Sequence, residues 1–280
     1  VRLWDVKPNN PSEKASFDLA NVAQLAFSRD GQNLGAAAGE KLVVWRREGN
    51  EFKLRLELAG NDLPELSTLA FSHDQQRVVA GGMTGGVIVP LDIEKPEMHV
   101  APFATSGITA LAFSPTERLL AIGTAKGVVQ CYDLAGPDPR AKFTLSGHAG
   151  AIHGLSFGEN SSELVSAGED HTWRHWDVAQ QAEHRPLQPM VGAASRVRFV
   201  GAREANVATL SRSDALLSLW QVKDGSLVER DPLGEPGLLR QIAFSRDVKT
   251  ILTADDAGAI KSWDADSGKR QATFARSLRD

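Results

Sequence analysis

Leu25-Ala-Phe-Ser-Arg-Asp30 is a phrase that recurs, with variations, five more times along the 280-residue chain. The central phenylalanines of the six copies lie 44, 42, 44, 42 and 45 residues apart. Self-similarity at a fixed period of this size indicates a repeat architecture. The other copies are Leu69-Ala-Phe-Ser-His-Asp74, Leu111-Ala-Phe-Ser-Pro-Thr116, Leu155-Ser-Phe-Gly-Glu-Asn160, Val197-Arg-Phe-Val-Gly-Ala202 and Ile242-Ala-Phe-Ser-Arg-Asp247.

A second phrase follows each phenylalanine by 18 to 21 residues: an alternating apolar run that ends in an aromatic residue and usually an aspartate. Trp173-Arg-His-Trp-Asp177 and Ile260-Lys-Ser-Trp-Asp264 are clear examples, and Val1-Arg-Leu-Trp-Asp5 is an additional copy at the start of the chain. Runs of small and β-branched residues such as Val78–Gly82 separate the two phrases. These alternations predict four antiparallel strands per repeat, joined by tight hairpins.

The period and the aromatic-aspartate ending are similar to those of the WD-repeat family. This resemblance covers essentially the whole chain and implies an all-β fold, a WD-repeat β-propeller of four-stranded antiparallel blades. We expect residues 1–280 to form a single propeller with six full repeats and a partial N-terminal one. The partial repeat would occupy residues 1–20, and the full repeats approximately residues 21–60, 61–104, 105–147, 148–190, 191–233 and 234–276.

The N-terminal repeat is predicted to contain only two strands, Val1–Val6 and about Ala15–Leu19. Because the last repeat completes its own fourth strand near Gln271–Phe274, the two remaining strands are expected to come from sequence before Val1. The expectation is therefore a seven-bladed ring, or a truncated arc of one.

One repeat matches the family pattern closely, from Ser146-Gly-His148 to Trp176-Asp177. The resemblance places the family's hydrogen-bonded structural tetrad on His148, Ser166, Asp170 and Trp176. A serine, a histidine and an aspartate also occur in hydrolase triads, but their spacing and the tryptophan follow the structural pattern. Two other repeats depart from it: Leu210 stands at the serine position before Trp220, and the last repeat has Thr253 and Trp263 with Ala257 at the aspartate position.

Family analogy also places partner contacts on the rim at one end of the central channel. We use the name rim residues for the positions that open each first strand or precede the tetrad aspartate. They are polar, nearly balanced in charge and poor in aromatic residues, which favours a modest or composite interface, with Arg240 as the leading contact. The rim residues are Glu65, Ser67, Thr109, His153, Glu169, Ser195, Leu238, Arg240 and Asp256.

Two further motifs have plain structural interpretations. Gly81-Gly-Met-Thr-Gly-Gly86 resembles a phosphate-binding loop, but it lies between two predicted strands without a lysine, so we interpret it as a glycine hairpin. The repeat at residues 148–190 is rich in histidine, with His148, His153, His171 and His175. Adjacent strand and turn positions direct these side chains apart, so no metal site is predicted.

Composition narrows the function. The net charge is −4 with a pI near 6.0, which argues against nucleic-acid binding, and no apolar run is long enough to cross a membrane. Cys131 is the only cysteine, which fits a reducing, cytoplasmic location. With no catalytic residues, cofactors or metals predicted, we expect a non-catalytic protein-protein interaction scaffold or sensor module.

Its partners would be other proteins or other domains of the same polypeptide, within a larger signalling or regulatory protein. The alternative is a propeller-based enzyme or small-molecule binder that uses the central channel. That alternative requires convergent acids, bases or metal ligands on the innermost strands, which instead carry mainly small and apolar residues.

Overall fold

All regular elements that the computed structural model describes are β-strands. It describes residues 1–5, 12–60, 63–91, 107–116, 118–136, 139–185, 192–200, 206–211, 217–223, 226–229, 239–245, 247, 249–255 and 259–274. None of these residues belongs to a helix with the length and hydropathy of a membrane span. The chain divides into two compact units, Val1–Ile152 and His153–Asp280, and each is described by itself.

The first unit contains a two-stranded sheet, β1-β2, followed by three larger antiparallel sheets in which neighbouring strands are consecutive in sequence. Two of these have four strands, and β7-β8-β9 has three; the fourth strand predicted for that repeat falls in 92–106, outside the described residues. The strands are β1 Arg2–Asp5, β2 Ser12–Ser16, β3 Gln24–Phe27, β4 Asn33–Ala37, β5 Lys41–Glu48, β6 Glu51–Ala59, β7 Thr68–Phe71, β8 Arg77–Gly82, β9 Gly85–Pro90, β10 Ile108–Phe113, β11 Leu119–Thr124, β12 Val128–Asp133 and β13 Arg140–Ser146.

The second unit contains three four-stranded antiparallel sheets, and the first strand of the first of them begins at Ile152, where the first unit ends. Each sheet again uses consecutive strands, as the hairpin predictions require. The strands are β14 Ile152–Phe157, β15 Glu163–Gly168, β16 Trp173–Asp177, β17 Ala182–Arg185, β18 Ala194–Val200, β19 Asn206–Ser211, β20 Leu217–Lys223, β21 Ser226–Glu229, β22 Leu239–Phe244, β23 Thr250–Asp255, β24 Ile260–Asp264 and β25 Arg270–Phe274.

The N-terminal hairpin differs from the prediction in its second strand. We expected that strand at Ala15–Leu19, but β2 begins at Ser12 and ends at Ser16. Backbone hydrogen bonds between Val1 and Phe17 close the ladder, and the Phe17 ring then packs against Trp45 with ring centroids 4.6 Å apart. The polar sequence of β2 carries no apolar alternation, so its pairing could be located only from the backbone partner.

Small residues on second strands allow consecutive sheets of the first unit to pack closely. A β-carbon at Gly35 would lie 2.9 Å from the ring of Phe71 on the next sheet, and one at Gly81 would lie 2.8 Å from Ile108. Phe71 is the phenylalanine of the repeated phrase, so the repeat places a large side chain opposite a glycine of the preceding repeat.

Three tryptophans of the second unit bond to a hydroxyl group on the neighbouring strand. The indole Nε1 atoms of Trp176, Trp220 and Trp263 donate to the hydroxyl oxygens of Ser166, Thr209 and Thr253 at 2.8, 2.8 and 2.9 Å. All six side chains are buried, so each donor that lost its acceptor would stay unsatisfied in the interior. These bonds fasten the second strand to the third in each sheet of the unit.

The assignment of Leu210 to the serine position was therefore wrong, because Thr209 supplies the hydroxyl. In all three sheets the hydroxyl residue lies two positions beyond the residue that pairs with the tryptophan. Counted along the chain, the separation is 10 residues for Ser166 and Thr253 but 11 for Thr209. The connection between β19 and β20 is longer than the corresponding connections of the other two sheets. It therefore adds one residue between Thr209 and Trp220 but leaves the register of the paired strands unchanged.

Candidate functional site

Several rim residues occupy β-bulges at the start of first strands. Ile108 pairs with Thr124 and Ala110 with Gly123, which leaves Thr109 as the extra residue of β10. The same irregularity leaves Ser195 extra in β18 and Arg240 extra in β22. A bulge redirects one side chain and increases the local twist, and bulges are frequent near binding sites.

The hydroxyl groups at two of these bulges bond to backbone carbonyls. Thr109 Oγ1 lies 3.1 Å from the carbonyl oxygen of Gly123 and 2.5 Å from that of Ile152, and Ser195 Oγ donates to the carbonyl of Leu210 at 3.1 Å. Each hydroxyl therefore ties the bulge to the second strand of its own sheet. In this arrangement both groups act as structural donors, and neither is poised as a nucleophile.

The remaining rim residues differ in exposure. Glu65 and Ser67 are exposed ahead of β7, Glu169 is exposed in the turn between β15 and β16, and His153 is half-buried on β14. Leu238 and Asp256 lie outside the described residues, and Arg240 is described only as a backbone position in β22. The first unit thus presents the two exposed rim residues Glu65 and Ser67, and the second presents Glu169.

The predicted tetrad residues fall in both units. His148 is buried near the end of the first unit, whereas Ser166, Asp170 and Trp176 belong to the second. The Trp176-to-Ser166 bond is present, and Asp170 Oδ1 accepts hydrogen bonds from the backbone nitrogen and hydroxyl of Thr172 at 3.1 and 2.8 Å. Asp170 therefore orders the turn between β15 and β16, close to the exposed rim residue Glu169.

An open groove of about 510 Å³ lies in the first unit at the end of the β3-β6 sheet. Its wall includes one predicted rim residue, Glu65, but sequence reasoning missed the rest of it. The groove is formed by the segment before β3, the β4-β5 turn, the end of β6 and the loop before β7. The lining residues are Leu19, Ala20, Asn21, Ala38, Gly39, Glu40, Lys41, Ala59, Gly60 and Glu65.

The predicted glycine hairpin is confirmed and carries an exposed apolar side chain. Gly82 pairs with Gly85 across the β8-β9 turn, and Met83 in that turn is 63% exposed. A β-carbon at Gly82 would lie 1.6 Å from the carbonyl oxygen of Glu65, so the turn packs against the loop before β7, whereas the Met83 sulfur lies near Gly107, which is not part of the groove wall. The glycine pattern located the turn, but only the pairing of β7 with β8 places that turn against the loop before β7.

Histidines in the second unit form a small electrostatic cluster. Nε2 of the buried His175 lies 3.5 Å from Oε1 of Glu163, and the rings of His175 and His184 have centroids 4.9 Å apart. The close approach and charge of His175, with a smaller effect of His184, hold the pKa of Glu163 below its ordinary value against the opposing effect of burial. Within the described part of the chain, no group of His, Cys, Asp and Glu residues has a metal-binding arrangement.

Comparison with known proteins agrees with the repeated architecture. The family described as WD domain, G-beta repeat matches residues 97–133 and 140–177. A chain in the crystal structure of a mitotic checkpoint complex superposes with a TM-score of 0.76 at 16% identity, covering 100% of this chain and 90% of that chain. The repeated antiparallel sheets and this likeness define an all-β repeat protein of the β-propeller class.

Curated relatives with similar sequence are longer proteins. Apoptotic protease-activating factor 1 of Danio rerio is 22% identical over 260 residues, 90% of this chain and 19% of that protein. The guanine nucleotide-binding protein subunit beta of Nicotiana tabacum is 21% identical over 217 residues, 74% of this chain and 58% of that protein. The E3 ubiquitin-protein ligase COP1 of Pisum sativum is 28% identical over 169 residues, 56% of this chain and 24% of that protein.

Residues 97–133 and 140–177 match the WD-repeat family, and the chain as a whole is similar to WD-repeat β-propellers. It spans about a fifth of the length of the Danio rerio relative and less than two thirds of each of the other two.

Proposed function

We propose that this chain is a non-catalytic platform that binds other proteins, or other domains of its own polypeptide, through the exposed rim and the groove. The observation that carries the proposal is the contrast between side chains at the rim. Thr109 and Ser195 are engaged with backbone carbonyls, whereas Glu65 and Ser67 are exposed. Exposed polar side chains beside an open groove suit recognition of a polypeptide surface.

The relatives support this proposal at the level of a module within a larger protein. Their printed names include a protease-activating factor, a ubiquitin ligase and a subunit of a guanine nucleotide-binding protein. In such proteins a propeller that senses or gathers partners would leave the chemistry to other domains. A cytoplasmic location accompanies the proposal because the single cysteine, Cys131, is a buried free thiol.

The proposal is tested by affinity capture from native cell extract followed by quantitative mass spectrometry. The bait is compared with variants that reverse one rim charge in each unit, Glu65→Arg and Glu169→Arg, separately and together. Glu51→Arg is the matched control, since Glu51 is an exposed glutamate at the opposite end of the sheet that borders the groove. Thermal unfolding verifies that every bait is folded.

We expect at least one partner to be recovered equally by the parent chain and by Glu51→Arg, and to be reduced about tenfold or more by a rim variant. A tenfold loss corresponds to about 1.4 kcal/mol of binding free energy. Recovery of identical partner sets by all folded baits would contradict a rim-binding platform.

A further inference from the structure

The first strand of the chain has an open backbone edge. Among the described residues β1 pairs with β2 alone, whereas each of the other sheets has three or four strands. Val1 exchanges two backbone hydrogen bonds with Phe17, so the amide and carbonyl groups of Arg2 point away from β2. The extra residue of the bulge that follows lies on β2, and the same alternation therefore turns the backbone of Trp4 to the open side. Such an edge can pair with another extended segment.

An exposed apolar surface lies beside this edge, on the first strand of the next sheet. Leu25 is 43% exposed and Phe27 is 50% exposed. In the five other copies of the repeated phrase, the residues at these two positions are buried or half-buried. Leu3 of β1 and Phe27 line the same pocket, which has a volume of about 190 Å³ and places the open edge next to the uncovered surface.

The other repeats show which residues cover such a surface. On the second strand β4, a β-carbon at Gly35 would lie 2.9 Å from Phe71, the counterpart of Phe27. On β8, a β-carbon at Gly81, two positions beyond the counterpart of Gly35, would lie 2.8 Å from Ile108. Second strands thus carry an aliphatic residue or glycine at the first of these positions and, in five of six, glycine or alanine at the second. The pairs are Gly35 and Ala37, Val79 and Gly81, Ala121 and Gly123, Val165 and Ala167, Val207 and Thr209, and Leu252 and Ala254.

A segment added to β1 would repeat this arrangement. When the aromatic endings of the first two repeats are aligned, Leu3 corresponds to Val44, which pairs with Gly35. Residues directly opposite each other in an antiparallel pair share one face of the sheet, so the residue opposite Leu3 would cover Phe27. The residue opposite Val1 would stand two positions further along, where second strands carry mainly glycine or alanine.

A second copy of this chain is a poor source of the added segment. Each second strand that carries the pattern is paired on both sides, since it lies between the first and third strands of its own sheet. Releasing one would break two ladders of backbone hydrogen bonds and leave buried groups without partners. A different protein, with an unpaired extended segment, meets the requirement without that cost.

We propose that β1 binds an extended segment of a partner protein by adding it as an antiparallel strand. The segment carries glycine, alanine or valine opposite Leu3 and glycine or alanine opposite Val1, and its backbone pairs with Arg2 and Trp4. Strand addition of this kind takes its affinity from main-chain hydrogen bonds and its specificity from alternate side chains. The inference goes beyond the proposed function, because this surface shares no lining residue with the groove and contains no rim residue.

The direct test is a titration of the ¹⁵N-labelled chain with acetyl-Lys-Thr-Gly-Val-Ala-Thr-Lys-amide, followed by amide NMR signals and hydrogen exchange. We expect the signals of Arg2, Trp4 and Leu25 to shift and the amide exchange of Arg2 and Trp4 to slow. One matched peptide has an N-methylated valine, which removes the donor that faces Arg2 and keeps every side chain. A second has leucine in place of alanine, which is too large for the close approach. Neither matched peptide should bind detectably.

Variants of the chain locate the contact. Phe27→Ser should weaken the peptide about tenfold, since it removes most of the apolar surface under the added strand. Met83→Ser is the matched control, because Met83 is an exposed apolar residue of the same unit, and it should keep the parental affinity. Thermal unfolding verifies that both variants are folded, and the peptide comparison uses the parent chain alone. Equal binding of the three peptides, unchanged exchange of Arg2 and Trp4, or full affinity of folded Phe27→Ser would overturn the proposal.

Two other outcomes concern the occupant. If the amides of Arg2 and Trp4 in the full-length gene product exchange slowly before any peptide is added, and the peptide does not bind, another part of the same polypeptide fills the edge and the partner assignment is wrong. If their exchange slows only as the protein concentration rises, together with sedimentation as a dimer, a second copy fills it and the assignment is equally wrong.

Failure of this proposal is distinguishable from failure of the proposed function. If rim variants change affinity capture and the peptide does not bind to β1, the platform stands and strand addition is wrong. If the peptide binds as expected and no rim variant changes capture, strand addition stands and the proposed function fails.

Discussion

The carbonyl oxygen of Glu65 occupies the space that a side chain at Gly82 would need: a β-carbon there would lie 1.6 Å from that oxygen. The obstructing atom belongs to the backbone of the loop before β7, so it cannot rotate away as a flexible side chain could. The Gly82→Ala substitution must push the loop before β7 outward. We expect a loss of about 2–3 kcal/mol in the free energy of unfolding, at the upper end for overpacking.

Chemical denaturation measures that loss, and amide NMR signals of Gly39 and Gly60 report whether the groove wall moves. Gly49→Asn serves as the control, because Gly49 has φ +62° with open space around its β-carbon position. Asparagine tolerates that backbone conformation, so the control should lose less than about 1 kcal/mol and leave the groove signals in place. Equal losses for both variants would show that the close approach at Gly82 is unimportant.

The indole-hydroxyl bonds of the second unit should each contribute measurably to stability. Ser166→Ala removes the acceptor of Trp176 and leaves a buried N–H unsatisfied, which costs about 1–3 kcal/mol. Thr253→Val should cost a similar amount through Trp263. Urea denaturation followed by tryptophan fluorescence gives both values.

Ser146→Ala is the control for these variants, because Ser146 is an exposed serine at the end of β13. We expect it to change stability by no more than about 0.5 kcal/mol. Losses of the same size for the buried and the exposed serine would contradict the role assigned to the bonds.

Glu163 should make the chain more sensitive to acid. Because folding lowers its pKa, the stabilisation is complete above the ordinary value of 4.5 and is lost as the pH falls through the lower folded-state pKa. The melting temperature of the parent chain should therefore fall more steeply between about pH 5 and about pH 3 than that of Glu163→Gln. Glu51→Gln should keep the parental slope of melting temperature against pH. If Glu163→Gln also keeps that slope, the contact between Glu163 and His175 does not cause the acid sensitivity.

The thiol of Cys131 should be inert in the folded chain. Cys131 is 1% exposed, and burial raises its pKa to about 12, a shift that the charge of Lys142 reduces only in part. Since the thiolate is the reactive form, Ellman's reagent at pH 8 should label less than about a tenth of the native protein within minutes. Full labelling in guanidinium chloride provides the reference, and rapid native labelling would contradict this burial.

Much of the fold follows from the repeated phrases. Their period predicted the four-strand units, and the Gly81–Gly86 stretch was correctly interpreted as a hairpin. The strand Ser12–Ser16 was misplaced because its side chains carry no pattern, so only its backbone partner locates it. The groove also escaped prediction, since its walls come from four segments that are separated in sequence and brought together by sheet pairing.

By itself, the sequence determined the all-β repeat class and the order of the strands. These features are local or periodic, so composition and spacing encode them. Only the tertiary structure decided that Thr209 bonds to Trp220 and that Thr109 and Ser195 sit on bulges. The register of each ladder of backbone hydrogen bonds sets those relationships. Because the connections between strands differ in length, the register cannot be read from the spacing of residues along the chain.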